Sequence, residues 1–294
     1  MKHIKYFEEK ALYESYINNS PILPNVSYVG DEDKVYYLIN NELPNNVIRY
    51  YSEKELEFYS DYQPKNIVSH EFSDGVGTIT FSENVTVVPY GFFYDYSSEY
   101  ITRIELPNSI TRIEGSFHSG ISYASTLNHM NIPNSLTYIG KDAFYGCPLK
   151  FSSDAFSNVE YIEDFAFRGS DIKSVNLTNI KYIGKMAFCD CGQLINVTIG
   201  KNCEFIGYCA FSDSGKYGYV NIYYEGTMEQ FLMMEKDPNW YRRDSDSYDD
   251  IDELVGQEIN VVECSDGDIV VSEVYDEGYD EGYGEGYDEG YYNE

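Results

Sequence analysis

Positive charge is scarce in this sequence. Its 294 residues include 20 Lys and Arg against 50 Asp and Glu, which gives a net charge of −30 at pH 7. A field of that sign repels the phosphates of DNA, RNA and anionic lipids at close range. The composition therefore argues against nucleic-acid and membrane-surface partners.

Long hydrophobic runs are also missing. Glu8, Glu9, Lys10 and Glu14 interrupt the apolar residues near the start of the chain, so no secretory h-region of roughly 7 to 15 apolar residues is present there. No window approaches the roughly 18 apolar residues of a membrane span. We therefore expect a cytoplasmic location, unless a non-classical route carries the chain to a cell surface or a virion.

Residues that commonly perform catalysis are few. The four His residues, at positions 3, 70, 118 and 129, are far apart in the sequence. The chain has no HExxH helix, no Gly-x-Ser-x-Gly elbow and no Walker lysine. We predict that the protein is not an enzyme and needs no cofactor.

The cysteines are too sparse for a disulfide-stapled scaffold. There are six: Cys147, Cys189, Cys191, Cys203, Cys209 and Cys264. The short spacing from Cys189 to Cys209 permits a zinc site. However, Cys191 takes the place in the repeat described below that Cys147 takes earlier, which favours packing as a small apolar residue, and no metal is predicted. The acids of residues 244–250 alternate as in a calcium loop but lack its Gly and Glu, so a solvated loop is favoured.

What the sequence has in abundance is an internal repeat. Each copy reads apolar-x-x-apolar-x-apolar, then a polar turn, an apolar anchor and, five residues later, Phe. The anchors recur every 21 to 26 residues, at Val88, Ile113, Ile139, Ile162, Ile183 and Ile206. A fixed period of this length indicates stacked units, each of which buries its apolar face against its neighbours. The pattern predicts a β-rich solenoid of short parallel strands with short helical or 3-10 turns, whose anchors form one column.

Two segments of the third copy carry a specific resemblance. Residues 132–140 (IPNSLTYIG) and 143–147 (AFYGC) resemble the BspA-type leucine-rich repeat. Residues 66–81 are similar to the strand pair that often opens such arrays, and residues 223–227, Trp240 and 259–267 to the module that often closes them. The resemblance covers about residues 41–270. It implies a leucine-rich-repeat horseshoe with terminal caps, in a family of mostly non-enzymatic surface, adhesion or host-interaction proteins of gut bacteria or their phages.

Two copies depart from the pattern. Asp154 stands where the repeat requires an inward apolar residue, and the copy that contains Phe117 is one residue short. We expect these two coils to be locally distorted.

Caps are predicted on both sides of the repeats, which span residues 76–226. In the N-terminal cap, residues 41–75, two strands are expected at 47–51 and 67–72, with a turn through Asp74-Gly75. In the C-terminal cap, residues 227–270, Thr227 is expected to begin a helix over 228–235 that Pro238 stops. Phe231 and Leu232 should face the last coil, and a strand over 259–263 should complete the sheet.

The two end segments are expected to be separate from the array. Residues 1–40 predict a helix through Tyr6, Leu12, Tyr13 and Ile17 followed by a hairpin around residues 30–33; the segment is either a docking module or a further part of the cap. Residues 271–294 predict a disordered tail, because residues 273–294 contain nine acidic side chains and no basic one. Its role is either solubility or contact with a basic partner or cations.

Strand residues that face away from the core are the candidate binding residues, on one concave face. They are Arg103, Glu105, His129, Asn131, Ser174, Asn176, Asn196, Thr198, Asn221 and Tyr223. The leading hypothesis is a non-catalytic scaffold that binds a protein or glycan through this face; a plain solvated face is the simpler interpretation. The alternative function is a structural or accessory component of a larger assembly, such as a phage particle, docked through residues 1–40.

Overall fold

The structure is a computed structural model that describes residues 43–58, 64–93, 100–115, 127, 129–215, 220–237, 239–241 and 261–271. It also gives the backbone of three N-terminal strands, β1 (His3–Tyr6), β2 (Val26–Val29) and β3 (Tyr36–Ile39). Strand β3 pairs antiparallel with both β1 and β2, so the predicted hairpin is present. Tyr6 lies in a strand and not in the predicted helix; Leu12, Tyr13 and Ile17 fall outside the described residues.

An antiparallel sheet opens the array, as the sequence predicted. It contains two strands of the predicted cap, β4 (Val47–Ser52) and β5 (Ile67–Ser73), and β6 (Val76–Phe81). The sequence predicted β6 as the first of the parallel repeat strands, but it pairs antiparallel with both β4 and β5. Asp74 and Gly75 both have positive φ, 51° and 78°, as the tight turn of a two-residue hairpin requires. On its other edge β4 pairs antiparallel with the strand of the second repeat copy, β8 (Ile101–Glu105), which pairs parallel with β10 (His129–Met130).

Seven short parallel strands form the wall that carries the anchors. They are β7 (Val87–Val88), β9 (Arg112–Ile113), β11 (Tyr138–Ile139), β12 (Tyr161–Ile162), β14 (Tyr182–Ile183), β16 (Phe205–Ile206) and β18 (Glu235–Lys236). Their register aligns Val88, Ile113, Ile139, Ile162, Ile183 and Ile206 in one fully buried column. The predicted spine is therefore confirmed.

A phenylalanine ladder runs beside this column. The rings of Phe144, Phe167, Phe188 and Phe211 stack almost parallel, with centroids 5.1 to 5.5 Å apart. Trp240 meets Phe211 edge-on at 6.3 Å and is itself fully buried. The C-terminal cap thus covers the last exposed ring face of the ladder.

The isoleucine column ends at Lys236, which pairs in register with Ile206. Its ammonium group donates to the carbonyl oxygens of Phe231 and Met234, at 2.5 and 2.6 Å. Burial lowers the pKa of Lys236 from 10.5 to about 8. A polar residue therefore takes the place of isoleucine on the last rung that the structure describes.

The second repeat sheet contains β13 (Ser174–Leu177), β15 (Asn196–Ile199), β17 (Asn221–Tyr224), β19 (Val261–Cys264) and β20 (Gly267–Val270). Its first four strands are parallel, and β19 and β20 form an antiparallel hairpin. Between β10 and β13, the coil that contains Asp154 forms a 3-10 helix, η1 (Ser153–Phe156), instead of a strand. The distortion predicted there is confirmed, while Phe117 lies outside the described residues.

The C-terminal cap contains the predicted helix in shortened form, α1 (Met228–Met233). Thr227 and Gln230 form a reciprocal capping box at its start. Phe231 is fully buried, but Leu232 is 48% exposed, so the expectation that both face the last coil was wrong for Leu232. Neighbouring residues in a helix point about 100° apart, and here Phe231 occupies the inward position.

The closing strand of the cap is observed as β19, residues 259 and 260 of the predicted strand lie outside the described residues, and β20 was not predicted. Pro238 and residues 244–250 lie outside the described part of the chain. Among the described residues, no helix has the length and hydrophobicity needed to cross a membrane.

Candidate functional site

The ten predicted binding residues fall on two sheets, not on one continuous face. Arg103, Glu105, His129 and Asn131 are on or beside β8 and β10, where they contribute to what we call the N-terminal strand face, the outward side of the β10-β8-β4-β6-β5 sheet. The other six project from β13, β15 and β17 and define the C-terminal strand face, the outward side of the β13-β15-β17-β19-β20 sheet. The helix η1 occupies the position of the missing strand between them.

A charged cluster is the most distinctive feature of the N-terminal strand face. The carboxylate of Glu105 accepts hydrogen bonds from Arg103 at 2.5 Å, from Arg49 at 3.3 Å and from the Tyr51 hydroxyl at 3.3 Å. The Arg103 guanidinium lies 5.0 Å from the centroid of the Tyr51 ring. We call these four residues the arginine patch.

Strand pairing positions the patch. In the antiparallel register of β4 and β8, Arg49 is opposite Glu105 and Tyr51 is opposite Arg103. Ile48 and Tyr50, which alternate with them, are fully buried, so Arg49 and Tyr51 must point outward. Sequence reasoning missed both residues because it assigned β4 to the cap; the alternation of apolar and polar residues at 48–51 was the available signal.

The patch combines a buried anion with half-exposed cations. The Glu105 side chain is 11% exposed, whereas those of Arg49 and Arg103 are each 32% exposed. Burial, followed by the nearby Glu105 carboxylate, raises the pKa of the Tyr51 hydroxyl, which keeps it protonated as a donor. Within the patch two guanidiniums face one carboxylate, and exposed Glu71 lies two strands from Arg49 in the same outward row, so the strands of this sheet carry two arginines and two glutamates.

The guanidinium groups retain unused donors. In the described part of the chain, the side-chain hydrogen bonds of Arg103 go to Glu105, and those of Arg49 to Glu105 and Tyr51. A guanidinium carries five N–H donors in a planar fork that suits carboxylates. Glu105 therefore holds both forks in place while their outer edges remain available to a ligand.

The Asn131 side chain makes structural hydrogen bonds within the sheet, whereas the His129 side chain is exposed. The Asn131 side chain donates to the carbonyl oxygen of Leu106 at 2.8 Å and accepts from its N–H at 2.7 Å. This amide extends the parallel pairing beyond β10, which gives Asn131 a structural task. His129 is exposed and pairs in register with Arg103.

The C-terminal strand face presents a ladder of amides. Asn221 donates to Asn196 at 2.9 Å, Asn196 lies 3.5 Å from the Ser174 hydroxyl, and Asn176 donates to Asp154 at 3.0 Å. Farther along the same sheet, exposed Val261 and Val270 continue the Asn221 row, and Glu263 follows Tyr223. This face is polar with a short apolar end and carries no Lys or Arg on its strands.

The four cysteines of the zinc alternative do not form one cluster. In the described residues, the group whose ligand atoms lie within 4.8 Å of one another comprises Cys189, Asp190 and Asp213. Arg168 already binds Asp190 at 2.9 Å. Burial raises the pKa of Cys191 to about 12, and its thiol donates to the Phe167 carbonyl oxygen at 3.0 Å; a zinc ligand would instead be a thiolate.

Comparison with known proteins agrees with this repeat architecture. The family model of the BspA type leucine rich repeat region matches the chain in six copies, over residues 41–153 and 119–230. The chain belongs to this BspA-type leucine-rich-repeat family. The resemblance inferred from residues 132–147 is thus confirmed, and the matched ranges include the arginine patch and all ten predicted binding residues.

Structural comparison gives a related result for this BspA-type chain. It is similar to the crystal structure of a leucine-rich repeat protein from Bacteroides ovatus ATCC 8483, with 19% sequence identity and a TM-score of 0.40. The similarity covers 75% of this chain and 54% of that protein. No curated protein sequence matches the chain.

Proposed function

We propose that this BspA-type array is a non-catalytic scaffold that binds a protein or glycan ligand through its outward strand faces. The arginine patch is the observation that carries the proposal. Arg and Tyr are the residue types most enriched at binding hot spots. Here Glu105 fixes both guanidiniums before any ligand arrives, which reduces the entropy lost on binding.

The repeat architecture supplies the rigid support that such a surface needs. Outward side chains on neighbouring strands stand in register, as in the row Asn176, Thr198, Tyr223 and Glu263. The rows are about 4.8 Å apart, the spacing of hydrogen-bonded strands. An extended ligand could therefore contact several rungs at once, and its contacts would add without further ordering of the protein.

The second function, assembly through residues 1–40, remains a prediction. Three backbone strands are described in that segment.

Binding can be tested on arrays of defined glycans and synthetic peptides. Each ligand detected with the full chain would be titrated against R103A, R49A and Y223A, with Y161A as control because Tyr161 is 40% exposed but lies on the anchor wall. A ligand with an anionic group on the arginine patch would lose one charge-assisted hydrogen bond in each arginine variant, which contributes about 1.5 to 3 kcal/mol. Its affinity for R103A and for R49A should therefore be about 10- to 150-fold lower. The proposal would be refuted if every ligand bound R103A, R49A and Y223A as tightly as the unmodified chain but bound Y161A less tightly.

A further inference from the structure

The C-terminal strand face ends in a free strand edge. Strand β20 is the last strand of its sheet and pairs on one side with β19. Alternate residues of an antiparallel strand direct their N–H and C=O groups away from the neighbouring strand. In the described part of the chain, no backbone hydrogen bond reaches the outer side of β20. This edge can therefore accept a further strand.

The usual protections of a sheet edge are absent from β20. Natural sheets commonly block an exposed edge with a bulge, a proline or a lysine. Strand β5, at the edge of the other outward sheet, has such a bulge, because its register shifts between Ile67 and Ser69. The register of β20 with β19 is regular over all four residues, and the sequence of β20 contains neither proline nor lysine. The edge of β20 is therefore the more open of the two to strand pairing.

The register of the sheet determines which side chains a new strand would meet. Two outward rows end on β20: Tyr223, Glu263 and Asp268 form one, and Val261 and Val270 belong to the other. Asp268 is exposed, and Val270 is 37% exposed. Outward residues of an added strand continue these rows about 4.8 Å farther on. One of them lies beside Asp268, and another, two residues along, lies beside Val270.

The row that ends at Asp268 favours a positively charged neighbour. Glu263 and Asp268 are directly opposite each other in the antiparallel register, where like charges repel. Both are exposed, and neither forms an ion pair within the described part of the chain. The five strands of this sheet contain no Lys or Arg. An ammonium or guanidinium group on the added strand would relieve the repulsion and form charge-assisted hydrogen bonds.

The same charge disfavours a second copy of this chain as the partner. The exposed charged side chain on each of the two free edges is acidic, Asp268 on β20 and Glu71 on β5. Pairing either edge of a second copy with β20 therefore adds negative charge to an edge that is already acidic. A partner with positive charge at the matching position has no such penalty.

We propose that the outer edge of β20 binds an extended, basic segment of a partner protein by strand addition. The segment carries Lys or Arg at the outward position beside Asp268 and an apolar residue two positions away, beside Val270. Main-chain hydrogen bonds supply affinity, and the two outward side chains supply specificity. The site is the sheet edge, so the inference does not depend on ligand binding by the outward strand faces.

A symmetrical fluorescent peptide tests the proposal, with Lys at its centre, Val two positions away on each side and Thr at the remaining positions. Its outward residues match the two rows in either strand direction. Fluorescence polarisation with the full chain should show binding that weakens when salt is raised from about 50 to 300 mM. A peptide with Glu in place of Lys should bind at least about tenfold more weakly. A peptide with Lys retained but with all backbone amides N-methylated should not bind, because it has no N–H groups to pair with the edge.

Charge reversal in the full chain tests the location of the site. E263K/D268K should bind the Glu peptide at least about tenfold more tightly than the Lys peptide, the reverse of the preference of the unmodified chain. This gain of binding cannot result from misfolding. The control E204K/E235K changes the same number of charges at exposed positions of the anchor wall and should keep the preference for Lys.

Three outcomes would overturn the proposal. The first is that the Lys peptide fails to bind the unmodified chain, or binds E263K/D268K equally well. The second is that the N-methylated peptide binds as tightly as its parent, because charge alone would then account for binding. The third is a dimer of the unmodified chain that E263K/D268K dissociates, because a second copy would then occupy the edge.

Discussion

Ile162 is the residue whose removal most directly tests the stacked spine. It is fully buried, and in the register of the anchor wall it lies between Ile139 and Ile183. Ile162→Ala removes three carbon groups, or about 2.4 kcal/mol at 0.8 kcal/mol for each buried group. The paired strands on both sides of β12 hold its backbone in place, so neighbouring atoms can fill little of the cavity. The free energy cost of that cavity is added to the loss. We expect a total loss of about 3 to 5 kcal/mol.

Tyr161→Ala is the matched control, because Tyr161 occupies the same two-residue strand but is 40% exposed. Urea unfolding followed by circular dichroism should show a loss below about 1 kcal/mol for this control. In thermal scans, the Ile162 variant should unfold at a temperature roughly 6 to 20 °C lower than the unmodified protein. Equal losses for the two variants, or a loss under 1 kcal/mol for Ile162→Ala, would refute the stacked spine.

Two further predictions concern the turns and the C-terminal cap. Gly200→Ala should cost at least about 2 kcal/mol in urea unfolding, since its new methyl would lie 2.0 Å from the Thr178 carbonyl oxygen. Gly192→Ala, whose methyl would meet nothing within 4 Å, should be neutral or stabilising by up to about 1 kcal/mol. If Gly192→Ala were the less stable of the two variants, the close contact between Gly200 and Thr178 would be contradicted. For Lys236, whose pKa is lowered from 10.5 to about 8 by burial, the unfolded chain binds more protons than the folded one between these values. The free energy of unfolding should therefore rise from pH 8 to 10.5 relative to K236M, and a pH-independent difference between the two proteins would show that Lys236 titrates normally.

The spine could be predicted from the sequence because one physical requirement repeats in every copy. Each anchor packs against the anchors of the two neighbouring coils, so it must be apolar and must recur at the same position of every copy. The anchors from Ile113 to Ile206 meet both requirements. The same reasoning located the capping Thr227, whose hydroxyl has a local partner three residues away. Leu232 was misassigned because adjacent apolar residues in a short helix do not reveal which of them faces inward.

The arginine patch could not be predicted as a unit. Glu105 lies 56 residues from Arg49, and their contact depends on β4 joining the repeat sheet antiparallel on the edge of β8. The outward position of each side chain follows from strand alternation alone. Their proximity follows from which strand pairs with which, and that choice leaves no periodic signal in the sequence.

The coil that breaks the pattern explains why two different faces coexist on one array. An inward Asp154 would place an unpaired carboxylate in the core, at a cost of several kcal/mol. The segment instead forms η1, in which Asp154 is exposed and accepts from Asn176 while Phe156 remains buried. On the anchor wall the same coil keeps its rung, because Ile162 pairs with both neighbours. The apolar wall thus maintains the stack while the opposite sheet is interrupted, and this separates the arginine patch from the amide ladder without dividing the core.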